Sequence, residues 1–420
     1  MEWKREQFKR HGHKLIETYN YQWAEGNLAT CLRFQLKEKG VELRELTTRQ
    51  ILDSIWKLGI PLTDPLFELA FSFISKAKTN GLTISDVSSK LAQNKWGRKQ
   101  RAFASLMIPI WQEYESLLKQ NNMMDFNDMI NYALQVARQQ TNQLTNRYRH
   151  ILIDEFQDIT DPQLELIKCL LGDGPSNTLF CVGDDGQNIF SFAGSNICNI
   201  LHFGRRFPYP EQTTLSTNYR CPRNIVEASS FIANLNKTKI EKNIASASEI
   251  QKPIRLIEMA SNDSRDYEVW ELEKATELLK ELLDNKKTEE QIMVLARFNY
   301  PLGRLKVAFP HQDTLGLKFL TIHKAKGTEA DYVLLLSCIN GRYGFPSELM
   351  DQRVLDIVRK DPMDETDKLE EERRLFYVAL TRCKSQLFLF TSGKSKSQFV
   401  SELEPYLDPG ESTSLRVLAS

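Results

Sequence analysis

HILIDEFQD, residues 150–158, and TLFCVGDDGQNIFSFAGS, residues 178–195, are the stretches that decide the fold. The apolar run Ile151, Leu152, Ile153 ends in two adjacent carboxylates, as a buried parallel strand delivers acids to the carboxyl edge of its sheet. Asp154 is placed to hold a magnesium ion. Glu155, expected to point the other way along the pleat, is placed to orient and deprotonate an attacking water, the second role that phosphoryl transfer requires. Alone, such a pair is ordinarily two solvated acids, but the second stretch changes that. Its apolar strand runs into Gly183-Asp184-Asp185-Gly186-Gln187, which puts the Gln187 amide at the tip, in reach of a terminal phosphate or its water. Phe190 and Phe192 follow on the same loop and offer flat faces on which bases stack at about 1–3 kcal/mol each. An isolated F-x-F is more often core; next to a phosphate-sensing position, coupling to nucleic acid is the expectation.

A phosphate loop of the form G-x-x-x-x-G-K-[ST] is expected upstream, and none occurs in residues 1–149. The single GKS, Gly393 to Ser395, is a decoy, because Phe388 stands where the motif's first glycine belongs. The expectation is a motor whose first domain lacks its amino-terminal portion.

Composition sets the outer limits. The 420 residues suggest two or three domains. Lys plus Arg and Asp plus Glu both total 55, so attraction to nucleic acid has to come from local patches. The clearest is KWGRKQR, residues 95–101, equally a backbone-phosphate contact or a solvated helix start. His11 and His13 lack nearby Cys or carboxylate partners and are expected to be a surface pair. Seven cysteines without C-x-x-C spacing argue against a disulfide framework or a zinc module. With no charged-then-apolar leader and no apolar run of 18 residues, the expected location is the cytoplasm, with no membrane partner.

Along the chain, residues 1–124 show 3.6-type apolar spacing and are expected to form an all-helical subdomain. Strand and helix signals then alternate through residues 125–204, the remaining part of a first α/β domain. The Gly- and Pro-containing stretch 204–210 suits a linker. A second α/β domain over residues 205–395 has expected strands at 254–258, 292–296, 319–323, 332–337 and 386–391. Its expected helices lie at 223–236, 267–283 and 370–381. Residues 361–372 form an acidic run, most simply a solvated loop and helix start. Residues 396–420 are a tail.

DEFQD, GDDGQNIFSFAGS, LSTNYRCPRNI, LTIHKAKGTEADYV and EERRLFYVALTR occur in order. Together they resemble the motifs of UvrD/Rep-type superfamily 1 DNA helicases, most closely the helicase IV-like branch. The likeness covers nearly the whole chain from about residue 125 and more loosely residues 14–124. It implies two RecA-like P-loop NTPase motor domains, ATP and Mg2+ as cofactors, and 3′ to 5′ movement on single-stranded DNA and single-strand/duplex junctions. Arg220 and Arg382 become arginine-finger candidates against the γ-phosphate, with Tyr219 beneath the adenine and Glu329 near the ribose. His323 and the turn glycine Gly327 belong to the segment TIHKAKG that contacts both DNA and nucleotide, and Arg297 matches a further DNA-side segment. Ala193 stands where many relatives carry arginine, and Phe192 where tryptophan is commoner. Two functions therefore compete: an ATP-dependent helicase deficient in ATPase as an isolated chain, and a non-catalytic module that keeps the DNA surface or docks to a partner. Strand edges left bare around 151–153 and 179–182 are expected to make the chain poorly soluble or to be covered by a second polypeptide carrying the phosphate loop.

Overall fold

The computed structural model of the chain describes residues 2–13, 15–19, 22, 28–41, 63–93, 96–140, 144–145, 147–172, 177–207, 209–249, 252, 254–310, 315–341, 343–347, 353–359 and 365–408. They fall into two compact units, Met1–Leu69 and Ala70–Ser420. The first contains α1 (Glu2–Arg10) and α2 (Leu28–Glu38). His11 and His13 are exposed there, and no cluster of three or more His, Cys, Asp or Glu able to hold a metal occurs among the described residues.

The helix α3 (Thr63–Thr79) begins before the unit boundary and ends in the second unit, where α4 (Ile84–Leu91), α5 (Arg98–Gln120) and α6 (Phe126–Gln139) follow. Phe73, Ala77, Ala104, Met107 and Trp111 bury at helical spacing. Two capping boxes fix where helices begin: Thr83 with Asp86 for α4, and Asp125 with Asp128 for α6. Lys78, nearly buried at the end of α3, bonds Asp125 at 2.7 Å, Asp128 at 2.5 Å and Glu115 at 2.8 Å. Despite burial, those three carboxylates hold its ammonium above the ordinary lysine range. Trp96 is buried and donates to the Lys90 carbonyl at 2.8 Å, which withdraws the aromatic from the 95–101 patch. Arg98, Lys99 and Arg101 are exposed in the first turn of α5; Lys95 lies outside the described residues.

Two parallel sheets follow. β1 (His150–Ile153) pairs β2 (Thr178–Cys181), with α7 (Asp161–Leu171) between them in sequence. α8 (Cys198–Leu201) and α9 (Phe203–Arg206) come next, so residues 204–206 of the expected linker are helical; Pro208 lies outside the described residues. After β3 (Thr217–Asn218), α10 (Arg223–Asn234) and β4 (Ala245–Ser246), a six-stranded parallel sheet forms in the order β10-β5-β9-β8-β6-β7. Its strands are β5 (Ile254–Met259), β6 (Ile292–Ala296), β7 (Leu317–Thr321), β8 (Ala330–Leu335), β9 (Cys383–Ser392) and β10 (Leu407–Asp408). The crossovers are α11 (Tyr267–Asn285), α12 (Asn299–Ala308), α13 (Ile322–Ala325), α14 (Glu365–Leu380) and α15 (Gln398–Glu402). Alternation along β6 feeds two cores. Met293 and Leu295 join α10 and α14, whereas Ile292, Val294 and Ala296 join α11 and α12. The mixed α/β, RecA-like class is thus realised.

Two readings of the sequence change. The strand expected over 319–323 ends at Thr321, and the chain turns into α13, so His323 is helical. The end of the acidic run is not a solvated face, while residues 361–364 lie outside the described residues. Glu370 is buried and accepts the Lys237 N–H at 2.7 Å, and Glu372 is buried against Arg297 at 3.0 Å. Arg373 in turn pairs Glu402 at 2.9 Å. Acids this deep persist only because each meets a cation or backbone N–H.

Candidate nucleotide and nucleic-acid site

Two loops at the carboxyl ends of β1 and β2 carry the acids. Buried Gln157 joins them, its Oε1 accepting the Asp184 N–H at 3.0 Å and its carbonyl accepting from Asn188 Nδ2 at 2.5 Å. Gly183 lies at the contact: a Cβ there would stand 2.6 Å from Gln157 Oε1. Asp154 is exposed in the bend after β1, and Glu155 follows at φ 51°, ψ 41°. That left-handed conformation costs a non-glycine residue about 1–3 kcal/mol. Both acids lie past the strand, so the turn rather than the expected pleat alternation separates them. Glu155 Oε2 accepts from Gln157 Nε2 at 2.5 Å and stands 3.6 Å from Lys326 Nζ.

Gln187 holds the centre. Its Nε2 donates to Asp184 Oδ2 at 2.9 Å, and its Oε1 accepts from Arg382 Nη2 at 3.4 Å. Arg382 is almost wholly buried at the end of α14, where its Nε donates to the Val378 carbonyl at 3.0 Å. Burial, with Arg220 nearby, lowers its pKa, yet a guanidinium stays charged. The second finger candidate, Arg220, is half exposed and bonds Glu329 at 2.7 Å, so the expected ribose contact and the expected finger hold each other. Tyr219 beside them is 83% exposed, leaving its ring open for stacking. Gly327 takes φ +78°, the left-handed turn that lets the chain leave α13.

On the other side of Gln187, three rings converge. Phe192 is exposed and Phe190 half buried, their centroids 5.9 Å apart; His323 lies 5.2 Å from Phe192 and 6.3 Å from Phe190. Burial, aided by Arg297, pushes the His323 pKa down to about 3, so the imidazole is neutral at ordinary pH. Arg297 does not face outward as a DNA contact would. Its guanidinium is committed to buried Glu372 and lies 4.9 Å over the Phe298 ring.

Residues given no role from the sequence prove central. Lys326 Nζ bonds Asp158 at 2.5 Å and the Gln187 carbonyl at 2.9 Å, and sits 5.2 Å over the Phe190 ring. One ammonium therefore touches the DEFQD acids, the glutamine loop and the aromatic cluster. Lys242 bonds Asp184 at 2.5 Å and also Asp185, while Tyr377 donates to Asp184 at 3.1 Å. Although burial opposes charge there, Lys242 holds Asp184 below the usual carboxylate range. The second lysine of TIHKAKG was the available signal for Lys326; nothing local marks Lys242.

A carboxylate at the end of one parallel strand, with a buried arginine reaching the loop of the neighbouring strand, fits magnesium held partly by phosphate oxygens. Magnesium commonly takes one or two carboxylates and leaves its other positions to substrate and water. Asp154, exposed just past β1, is the carboxylate that could hold it.

Comparison with known proteins agrees with this geometry. Residues 5–208 match the UvrD/REP helicase N-terminal domain, and residues 309–394 match the UvrD-like helicase C-terminal domain. The chain is 30% identical over 305 residues to DNA helicase IV of Escherichia coli (strain K12), covering 71% of this chain and 42% of that protein. It is 34% identical over 197 residues to the putative ATP-dependent DNA helicase YjcD of Bacillus subtilis (strain 168), covering 45% and 24%. To a probable DNA helicase of Mycoplasma pneumoniae it is 28% identical over 299 residues, covering 70% and 53%. The chain thus spans about half or less of the length of these relatives. No described helix is long and apolar enough to cross a membrane. With both domain matches in the order of the two sheets, and covering more than half of the chain between them, the chain belongs to the UvrD/Rep family of DNA helicases.

Proposed function

We propose that this chain carries the catalytic cleft and the strand-binding face of an ATP-driven, 3′ to 5′ single-stranded-DNA translocase that opens duplexes from junctions. The observation that carries this reading is the meeting of Arg382 with Gln187, a buried cation from the six-stranded sheet against the sensor loop of the two-stranded one. ATP with magnesium supplies the phosphoryl group whose transfer drives movement. Asp154 holds the metal, and Glu155 orients and deprotonates the attacking water. Arg382 and Arg220 spread the charge that develops on the γ-phosphate, an effect worth about 10³–10⁵ in rate. Tyr219 stacks on the adenine, and Glu329 releases Arg220 to meet the ribose. Phe190, Phe192 and neutral His323 receive the bases, and the site works in the cytoplasm.

The G-x-x-x-x-G-K-[ST] motif does not occur in residues 1–149, and a second polypeptide supplies the phosphate cradle in this reading. Leu152 and Phe180 on the two-stranded sheet, and Val182 just past it, are exposed, apolar positions suited to such a cover. A second reading, a single-stranded-DNA or partner-docking module without turnover, is favoured by the same missing motif. The purified chain should hydrolyse ATP slowly with or without DNA. Co-expression with the amino-terminal part of a helicase IV-like protein should restore DNA-stimulated turnover, lost again in Glu155→Gln. Vigorous turnover by the chain alone overturns completion in trans; no complex and no recovered turnover leaves the docking module as the function.

A further inference from the structure

The aromatic surface does not stop at Phe190, Phe192 and His323. Arg297, whose charge acts on His323, lies over Phe298; Phe298 meets Tyr343 edge-on at 5.9 Å, and Tyr343 lies 5.5 Å from Tyr300 at an interplanar angle of 30°. Tyr300 is 51% and Tyr343 43% exposed. The two rings stand at the mouth of a cavity of about 240 Å³ beyond the carboxyl ends of β6 and β8. Crevices at that edge are where open α/β sheets bind ligands. Residues 209–308, which carry Tyr267, Glu268, Glu271, Tyr300 and Arg304, lie between the two stretches matched to the helicase family.

The lining sorts possible occupants by charge. On the floor, buried Glu271 accepts the Ser337 N–H at 2.6 Å and the Tyr267 hydroxyl at 2.8 Å. At the rim, Glu268 accepts the Tyr300 hydroxyl and Arg304 Nη1, each at 2.9 Å. Two carboxyl groups and one guanidinium disfavour a phosphate inside. Ring faces with acceptor oxygens at their edge suit a planar, uncharged group bearing N–H donors. A nucleobase has that chemistry: it stacks on aromatic side chains, and a carboxylate accepts from the amino group of cytosine.

We propose that this cavity takes one unstacked base of the single strand that crosses Phe190 and Phe192, the base lying against Tyr300 and Tyr343 with its exocyclic amino group toward Glu268. The inference rests on the single-stranded-DNA reading above and extends the strand's track across the six-stranded sheet. It adds a preference: thymine, which has no exocyclic amino group, fits less well than cytosine.

Titration of labelled oligo(dC) and oligo(dT) with the full chain tests it. The wild type should bind oligo(dC) more tightly than oligo(dT), and Glu268→Gln should shrink that ratio. Tyr300→Ala and Tyr343→Ala should each weaken oligo(dC) about 5- to 150-fold, the range for loss of one stacked base. Tyr300→Phe, which keeps the face, should retain binding. Both tyrosines are half exposed, so melting temperatures should stay near wild type; the unmutated dC-to-dT ratio gives a reading in any case. Loss in Phe192→Ala with none in either tyrosine variant, or equal binding of the two oligonucleotides, overturns the cavity assignment alone. Absence of wild-type binding to either oligonucleotide instead removes the DNA reading beneath it.

Discussion

Leu152 and Phe180 face each other across β1 and β2, and Leu334 and Phe388 do the same across β8 and β9. The residue types, strand direction and register are alike. Yet Leu152 is 72% and Phe180 61% exposed, while Leu334 and Phe388 are buried at 0% and 1%. A parallel strand is hydrophobic because both of its faces expect cover. In the six-stranded sheet α11 and α12 cover one face and α10 and α14 the other. The two-stranded sheet places the same side chains in water. Burial is therefore a property of the neighbours, and an apolar strand in the sequence states only what it requires of them.

The sharpest way to break this comparison is to cut the same ring from each sheet. Phe388→Ala should cost about 3–5 kcal/mol in urea unfolding, whereas Phe180→Ala should stay within about 0.5 kcal/mol. Similar losses at both positions would mean that Phe180 is covered in solution.

Burial acts on charge as it does on rings. Lys76, 4% exposed on α3, has its ammonium pushed down to about 8 by burial and by Arg359, against the pull of Glu371 and Asp356. A lysine that loses its proton more easily when folded opposes folding while charged. Stability should therefore rise with pH from about 8 toward its ordinary 10.5 and be flat, for this group, below that window. Relative to Lys76→Met, the wild type should gain up to about 3 kcal/mol across the window. Parallel curves for the two proteins would show the ammonium to be solvated.

The smallest expected effect concerns the bare sheet itself. Leu152→Lys should change stability by no more than about 0.5 kcal/mol yet reduce self-association in sedimentation, because a charge on an exposed strand resists edge pairing. Unchanged association would place the sticky surface elsewhere.

The fold was legible where local pattern suffices. The strand of residues 292–296 and the helix starting at Arg223 stand where apolar period and turn residues put them. His323 was misplaced because TIH continues an apolar run, and nothing local shows that the backbone leaves the sheet after Thr321. Glu370 and Glu372 were misread for a related reason: a run of acids is usually solvated, and their partners, Lys237 and Arg297, lie far away in sequence. The candidate site divides the same way. Asp154, Glu155 and Gln187 were visible as motif letters, as were Phe190 and Phe192. Of the cations that hold these loops, Lys326 stood in the TIHKAKG motif without its partners, and Lys242 could be found only once two sheets had been brought together.

Lys326 has one positive charge and three sets of claimants: Asp158 and Glu155, the Gln187 carbonyl, and the Phe190 ring. A charge shared in this way cannot be altered for one claimant alone. Whatever neutralises the acids changes the field at the ring, and whatever stacks on the ring changes how strongly the acids hold the ammonium. Equilibrium linkage then requires symmetry: the factor by which a nucleotide alters the grip on a strand is the factor by which the strand alters the grip on that nucleotide. Under the proposed function, fuel and track are weighed on one balance.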